Sequence, residues 1–303
     1  MKSQAERIKE FCEYHRDGDG ECNNVVLKAW TDKHGLTLQD KYELAYFFAI
    51  TYCVESAIIL FLDKKQVFSH AEAWVAANKQ KLVFQSDRKY IRMKDSFLRC
   101  INGFKSRADV GGFLKQVTED GKIKLAKAIP YVSSWELFGR FSAFLFLETF
   151  VALTGTDIEN TTIEWKKGNT ATSGLLNVFG YDEAAAIFDK SEHLVFSAEI
   201  MDKMLNILIG NIRASGGSEN VTEIETSLCA YRKFYKGSRY NGYYLDRMLE
   251  EIDLMAGDFP EISAELFEIR RKCYQPKYLG EMSGWRRIRP EMKKLYKEAG
   301  IIT

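Results

Sequence analysis

Proline is scarce, with 4 in 303 residues beside 21 glycines. That excludes collagen-like repeats, Pro-rich linkers and a turn-dense β-sandwich. Net charge is nearly absent: 43 basic and 42 acidic residues leave +1, so the whole-chain balance names no partner. Six cysteines are present (Cys12, Cys22, Cys53, Cys100, Cys229 and Cys273), and none forms a Cys-x-x-Cys pair. The polar opening Met1–Glu6 has no apolar h-region, so no signal peptide is expected and a reducing, cytoplasmic setting with free thiols is. There is no Walker loop and no Rossmann glycine pattern. No cofactor is therefore implied, with a divalent metal left open. Cys12, His15, Cys22 and His34 could surround a zinc ion, but their spacing matches no standard finger.

The composition that remains is globular, 46% hydrophobic and 28% charged. Charge is unevenly spread along the chain. Arg88–Arg107 holds seven basic residues and one acidic; Tyr231–Arg247 holds five and one; Arg270–Lys297 holds ten and two. Such runs build a basic face without a basic pI, or are solvated helix surfaces. Leu44–Leu62 is long enough and apolar enough to raise a membrane span. Glu55, Thr51, Ser56 and two tyrosines within it argue instead for a buried helix, as Arg140 and Glu148 do for Leu137–Leu153.

Periodicity predicts helices over Gln4–His15, Leu38–Leu62, Ser69–Gln80, Asp87–Asn102, Val110–Thr118, Lys122–Ile129, Ser134–Leu153, Asp182–Lys190, Ala198–Ile212, Thr222–Phe234, Leu245–Met255, Ser263–Cys273 and Glu291–Gly300. Ser69 and Ser134 are the expected N-caps of their helices, and Thr222 with Glu225 has capping-box spacing. Few windows alternate with period two, so the fold class is mainly α. The expectation is a single helical catalytic unit over 1–303. A candidate subdivision lies near the Ser/Gly segment 213–220, with a basic, aromatic C-terminal part over 221–303.

Four stretches could carry chemistry. Gly139–Glu148 places a carboxylate in an apolar run, where it is paired or shifted in pKa; a structural pair with Arg140 is the alternative. Thr170–Gly180 opens with small and hydroxyl residues, a turn that can present backbone N–H groups at Ser173 and Gly174 to phosphate, or an ordinary helix cap. Glu225, Cys229 and Lys233 stand at i, i+4 and i+8 and line one helix face: acid, thiol and amine. Capping box, core filler and solvated charge are their plain readings. Finally, Tyr231–Arg247 interleaves Tyr231, Phe234, Tyr235, Tyr240, Tyr243 and Tyr244 with Arg232, Lys233, Lys236, Arg239 and Arg247. Cations hold phosphate and rings stack on bases, so this pattern fits a DNA-gripping surface or an aromatic core edge.

Taken in order, these blocks resemble the phage amino acid:DNA transferases, also described as α-glutamyl/putrescinyl-thymine pyrophosphorylases. The resemblance rests on Gly139, Phe141, Ala143 and Glu148; on Ser173, Gly174 and Leu175; and on Glu225, Leu228, Cys229 and Lys233. It covers roughly Leu125 to Tyr240. The chain departs from the family pattern at Glu148, where Asp is common, and at Thr226, where His is common. Ile129–Val132 has no Gly-x-Gly hairpin.

The resemblance implies a helical architecture related to helix-hairpin-helix DNA glycosylases. It implies a transferase that replaces the pyrophosphate of 5-pyrophosphoryloxymethyluracil in phage DNA with an amino acid, first of all glycine, in the host cytoplasm. Its partners would be modified DNA and a free amino acid, with no membrane. Glu148 or Glu225 would deprotonate the amine, and Cys229 would act as a covalent catalyst helped by Lys233. Arg140, Ser173, Gly174, Lys233 and Arg239 would hold pyrophosphate or backbone phosphate. Arg232, Tyr235, Tyr240 and Arg247 would contact DNA; no metal ligand is assigned. A glycosylase-like enzyme and a non-catalytic DNA-binding protein are the alternatives.

Overall fold

The computed structural model describes residues 2–17, 22–85, 91–160, 162–165, 170–191, 195–237 and 242–274. In chain order the helices begin with α1 (Gln4–Asp17), α2 (Cys22–Lys33), α3 (Leu38–Thr51), α4 (Val54–Leu62), α5 (Lys64–Ser69), α6 (Ala71–Asn78), α7 (Lys94–Lys105) and α8 (Val110–Val117). Two short strands, β1 (Thr118–Glu119) and β2 (Lys122–Lys124), precede α9 (Leu125–Ser133) and α10 (Arg140–Thr154). After β3 (Ile158–Glu159) come α11 (Thr170–Val178), α12 (Asp182–Ser191), α13 (Ala198–Ala214), α14 (Val221–Tyr235), α15 (Tyr243–Met255) and α16 (Pro260–Cys273). The fold is mainly α. Among the described residues no helix is long and apolar enough to cross a membrane.

The chain forms two compact units. Unit 1 comprises Met1–Cys22, Asn160–Asp246 and Pro276–Thr303; unit 2 comprises Asn23–Glu159 and Arg247–Gln275. One boundary thus falls inside α15, and the Ser/Gly segment 214–218 joins α13 to α14 within unit 1.

Unit 2 is built on α3, whose neighbours are α4 and α10. Thr37 caps α3 with a full capping box to Asp40, which satisfies two otherwise orphaned N–H groups. The expected single helix Leu38–Leu62 is broken at Tyr52, which adopts φ 52°, ψ 34° and closes α3 in a left-handed cap. Thr51 secures the break, its hydroxyl donating to the carbonyls of Phe47 and Cys53. Around α3 and α10 lies an aromatic core. Tyr46 stacks on Phe104 at 3.7 Å, and Trp135 meets Phe146 edge-on at 4.9 Å. The Tyr42 and Tyr46 hydroxyls donate to the carbonyls of Arg107 and Cys100, as buried phenols must.

Further expectations fail in unit 2, each for its own reason. Lys122–Lys124 is a strand and not the start of a helix, because it pairs antiparallel with β1 and parallel with β3. Ser134 is the C-cap of α9 and not the N-cap of α10; Leu137 at φ 59° intervenes and Gly139 opens α10. In α6 the N-cap is His70, while Ser69 donates back to the Lys65 carbonyl. α7 begins only at Lys94, and 86–90 and Glu291–Gly300 lie outside the described residues.

Unit 1 packs α11 against α14 and α12, and α1 against α13, α14 and α11. Its core joins Phe11, Tyr14, Trp165, Leu175, Leu205, Leu208, Ile224, Leu228 and Tyr231. Gly174 sets the α11–α14 crossing. A Cβ there would fall 2.2 Å from the Leu228 carbonyl oxygen, so no larger residue fits without separating the helices.

Candidate active site

α14 carries the acid–thiol–amine stripe. Its N-cap is Asn220, whose side chain accepts from the Thr222 amide at 2.9 Å. The expected Thr222–Glu225 capping box is therefore replaced. Thr222 instead accepts from Asn160 at 3.3 Å, and Glu225 is buried, 4% exposed. Along the stripe exposure opens: Glu225 is buried, while Cys229 and Lys233 are half-buried. A capping role does not account for Glu225 in this position.

Cys229 meets a residue that sequence reasoning missed. The Thr170 hydroxyl donates to the Cys229 sulfur at 2.8 Å. Thr170 is the first described residue of α11, so the sulfur lies toward the N-terminal end of that helix, where the helix dipole favours negative charge. No local signal in the sequence marks this contact, since 59 positions separate the two residues.

Ser173 and Gly174 stand differently from expectation. Both lie inside α11 and both are buried, so no open turn exists there. Gly174 is consumed by the helix crossing described above. A phosphate-facing turn at these two positions is thereby corrected.

The other faces of α14 are occupied by polar networks. The Ser227 hydroxyl pairs with His15 Nδ1 at 2.8 Å, and His15 Nε2 meets the Ser218 carbonyl at 2.8 Å. A carbonyl only accepts, so Nε2 carries the proton and Nδ1 accepts from Ser227. Burial pushes the His15 pKa below its ordinary value, against the pull of the Ser218 carbonyl. The Tyr231 hydroxyl donates to Glu10 at 2.9 Å and the ring is fully buried, which makes Tyr231 core rather than surface. Tyr235 donates to Asp182 at 3.1 Å and accepts from Arg7. Arg7, 4% exposed, also holds both Asp182 oxygens at 3.0 Å. Burial alone would raise the Asp182 pKa, but hydrogen bonds from Asn177, Arg7 and Tyr235 outweigh it and keep the carboxyl below its ordinary range. Lys2, Arg7, Glu10, Phe234 and Tyr235 line an open cavity of about 460 Å³.

Of the remaining predicted residues, Arg232 is half-buried on α14, while Arg239 and Tyr240 lie outside the described residues. In unit 2, Glu148 is buried in α10, 7% exposed. Next to it the Thr149 hydroxyl donates to Asn24 of α2 at 2.9 Å. Arg140 is exposed at the helix start, its guanidinium 6.0 Å from the Phe144 ring. Arg247 pairs with buried Glu251 at 3.1 Å, which ties one face of this predicted DNA contact to the fold of unit 2. No group of three His, Cys, Asp or Glu among the described residues is arranged to hold a metal ion.

No curated protein matches the chain. A family model described as amino acid:DNA transferase matches residues 28–240. That span holds Arg140, Glu148, Ser173, Gly174, Glu225, Cys229, Arg232, Lys233, Tyr235, Arg239 and Tyr240, and stops short of Arg247. With most of its length inside that model, the chain belongs to the amino acid:DNA transferase family.

Proposed function

We propose that this transferase replaces the pyrophosphate of 5-pyrophosphoryloxymethyluracil in phage DNA with an amino acid, first of all glycine, joined through its amine. The observation that carries the reading is the α14 stripe. A buried acid, a half-buried thiol touched by a hydroxyl toward the N-terminal end of a helix, and a half-buried amine follow one another on one face.

The chemistry runs in balanced steps. The Cys229 thiolate adds to C6 of the pyrimidine and places an electron pair in the C5–C4–O4 enolate. That pair expels pyrophosphate from the exocyclic carbon and leaves a methylene at C5. The amino-acid amine adds to the methylene, regenerating the enolate, and gives its proton to a carboxylate, Glu225 or Glu148. The enolate then expels the thiolate from C6, which restores the C5–C6 double bond and frees the enzyme.

The departing pyrophosphate is a polyanion and needs fixed cations and amides. Lys233, one turn from Cys229, is assigned to it, with Arg140 and Arg239 as further cations. The α11 dipole adds to them toward its N-terminal end, and Ser173 and Gly174 support that helix from inside it. Arg232, Tyr235, Tyr240 and Arg247 are assigned to the DNA strand, with aromatic walls for a base taken out of the stack. Tyr235 offers its ring, since its hydroxyl is engaged by Arg7 and Asp182.

The test is mass spectrometry of nucleosides after incubation with DNA carrying 5-pyrophosphoryloxymethyluracil and a pool of amino acids. The expected product is heavier than hydroxymethyluridine by one amino acid minus water. An unchanged profile overturns the reading, and release of free base replaces it with a glycosylase. Full activity in both Glu148→Gln and Glu225→Gln would remove both carboxylates from the role of base.

A further inference from the structure

We infer that Thr170 is a positioning residue for the thiol: its hydroxyl holds negative charge on the Cys229 sulfur, and an anchored segment ahead of α11 keeps it there. This inference rests on Cys229 being the working nucleophile of the proposed reaction. It adds a residue and a tether that the reaction scheme does not contain.

The geometry supplies the argument. Thr170 Oγ1 lies 2.8 Å from Cys229 Sγ, and the threonine is itself half-buried. Its proton has the sulfur as its acceptor. A hydrogen bond to an ionised acceptor is roughly twice as strong as one to a neutral acceptor, so the same contact favours thiolate over thiol. The helix dipole adds to it in the same direction.

Cys12 and Cys53 also meet serine hydroxyls, those of Ser215 and Ser56, but exposure sets them apart from Cys229. Cys12, Cys22, Cys53 and Cys100 are buried. Burial pushes the thiols of Cys12, Cys53 and Cys273 up. Cys229 is the half-buried thiol that receives a hydroxyl donor toward the N-terminal end of a helix.

A single hydrogen bond holds a thiol only if its donor stays in place. Ahead of α11, three described residues are fastened. Asn160 Nδ2 donates to Thr222 Oγ1 at 3.3 Å, on the first turn of α14. Thr162 Oγ1 and Trp165 Nε1 both donate to one oxygen of Asp202 on α13, at 2.5 and 2.7 Å. Trp165 is 4% exposed and Ile163 1% exposed, both in the unit 1 core. Downstream, the close approach of Gly174 to the Leu228 carbonyl fixes α11 on α14 one residue from Cys229. Described residues on both sides of Thr170 in the sequence are thus anchored within unit 1.

The experiment is alkylation of the full-length protein by iodoacetamide from pH 5 to pH 10, with Cys229 labelling resolved by peptide mass spectrometry. Neither DNA nor amino acid is required, so the outcome is separate from whether the proposed transfer occurs. Thr170→Val removes the hydroxyl and keeps the shape, whereas Thr170→Ser keeps the hydroxyl. Expected is a labelling midpoint moved to higher pH in Thr170→Val, with Cys229 labelled roughly tenfold more slowly near neutral pH. Thr170→Ser restores the wild-type profile, and Asp202→Ala gives a shift of the same sign and smaller size. A purely structural role would change the melting temperature without moving the pH profile. Superimposable profiles for wild type and Thr170→Val, both folded by circular dichroism, overturn the inference. A shifted Thr170→Val profile that serine fails to restore does so too.

Discussion

Unit 1 and unit 2 both bury charge, and they answer it in opposite ways. In unit 1, Arg7 and Asp182 are matched by each other and by Asn177 and Tyr235, so both stay ionised. In unit 2, Glu55 and Glu251 are 1% and 4% exposed, whereas the Asp182 side chain is 42% exposed. Ser263 donates to Glu55, whose second oxygen has no partner among the described residues. Glu251 has Arg247, Cys53 and Gln85. Burial dominates at both acids, the Glu251 charge adds to it at Glu55, and both are pushed up to about 7. A half-exposed carboxylate with partners keeps its charge, and full burial outweighs even a comparable set of donors.

The difference gives the units opposite responses to pH. The folded pKa of Glu55 and of Glu251 lies above the ordinary value of 4.5. Folded unit 2 therefore holds protons that the unfolded chain has lost, and its stability falls as pH rises from about 4.5 to about 7. The folded pKa of His15 lies below its ordinary 6.5. Unit 1 therefore keeps that contribution above pH 6.5 and loses it as pH falls below.

The comparison breaks most readily at Asp182. Asp182→Ala leaves the buried Arg7 guanidinium without its carboxylate and is expected to cost unit 1 about 3–4 kcal/mol. Hydrogen exchange should show the loss in α1, α11 and α14 first. Of similar size is the acid pair: between pH 5 and pH 8 unit 2 is expected to lose about 5 kcal/mol if both acids titrate independently. Exchange protection in α4 and α16 would report it, and Glu55→Gln should remove a large part of that slope. Gly174→Ala pushes a methyl into the Leu228 carbonyl and should cost unit 1 about 2 kcal/mol in urea unfolding. The smallest effect is that of His15→Gln, which should flatten the acid-side loss in unit 1 and leave the alkaline-side loss in unit 2 untouched. Acid-side loss that persists in α1 after this substitution would place the titrating group elsewhere.

Most of the helical framework was legible in the sequence, because periodicity and apolar runs are local. α8, α12, α13 and α16 lie close to where their patterns place them. The errors have a common source in long-range contacts. The break at Tyr52 turns Leu38–Leu62 into two helices, although its residues read as one run. β2 takes its form from partners at 118–119 and 158–159. α2 escaped notice because its pattern is weak. In the candidate site, the spacing of Glu225, Cys229 and Lys233 was visible and does form one stripe. What spacing could not show is that Glu225 is buried beyond any capping role, that Gly174 serves a helix crossing, and that Thr170 reaches Cys229.

The most direct test of the covalent account is pyrophosphate release in a single turnover, with DNA carrying 5-pyrophosphoryloxymethyluracil and no amino acid. If the Cys229 thiolate expels pyrophosphate before the amine arrives, the wild-type enzyme releases it without amino acid, and Cys229→Ala slows that release by at least about a hundredfold. Release that waits for amino acid, and proceeds at the same rate in Cys229→Ala, would contradict the account and make the amine itself the group that displaces pyrophosphate.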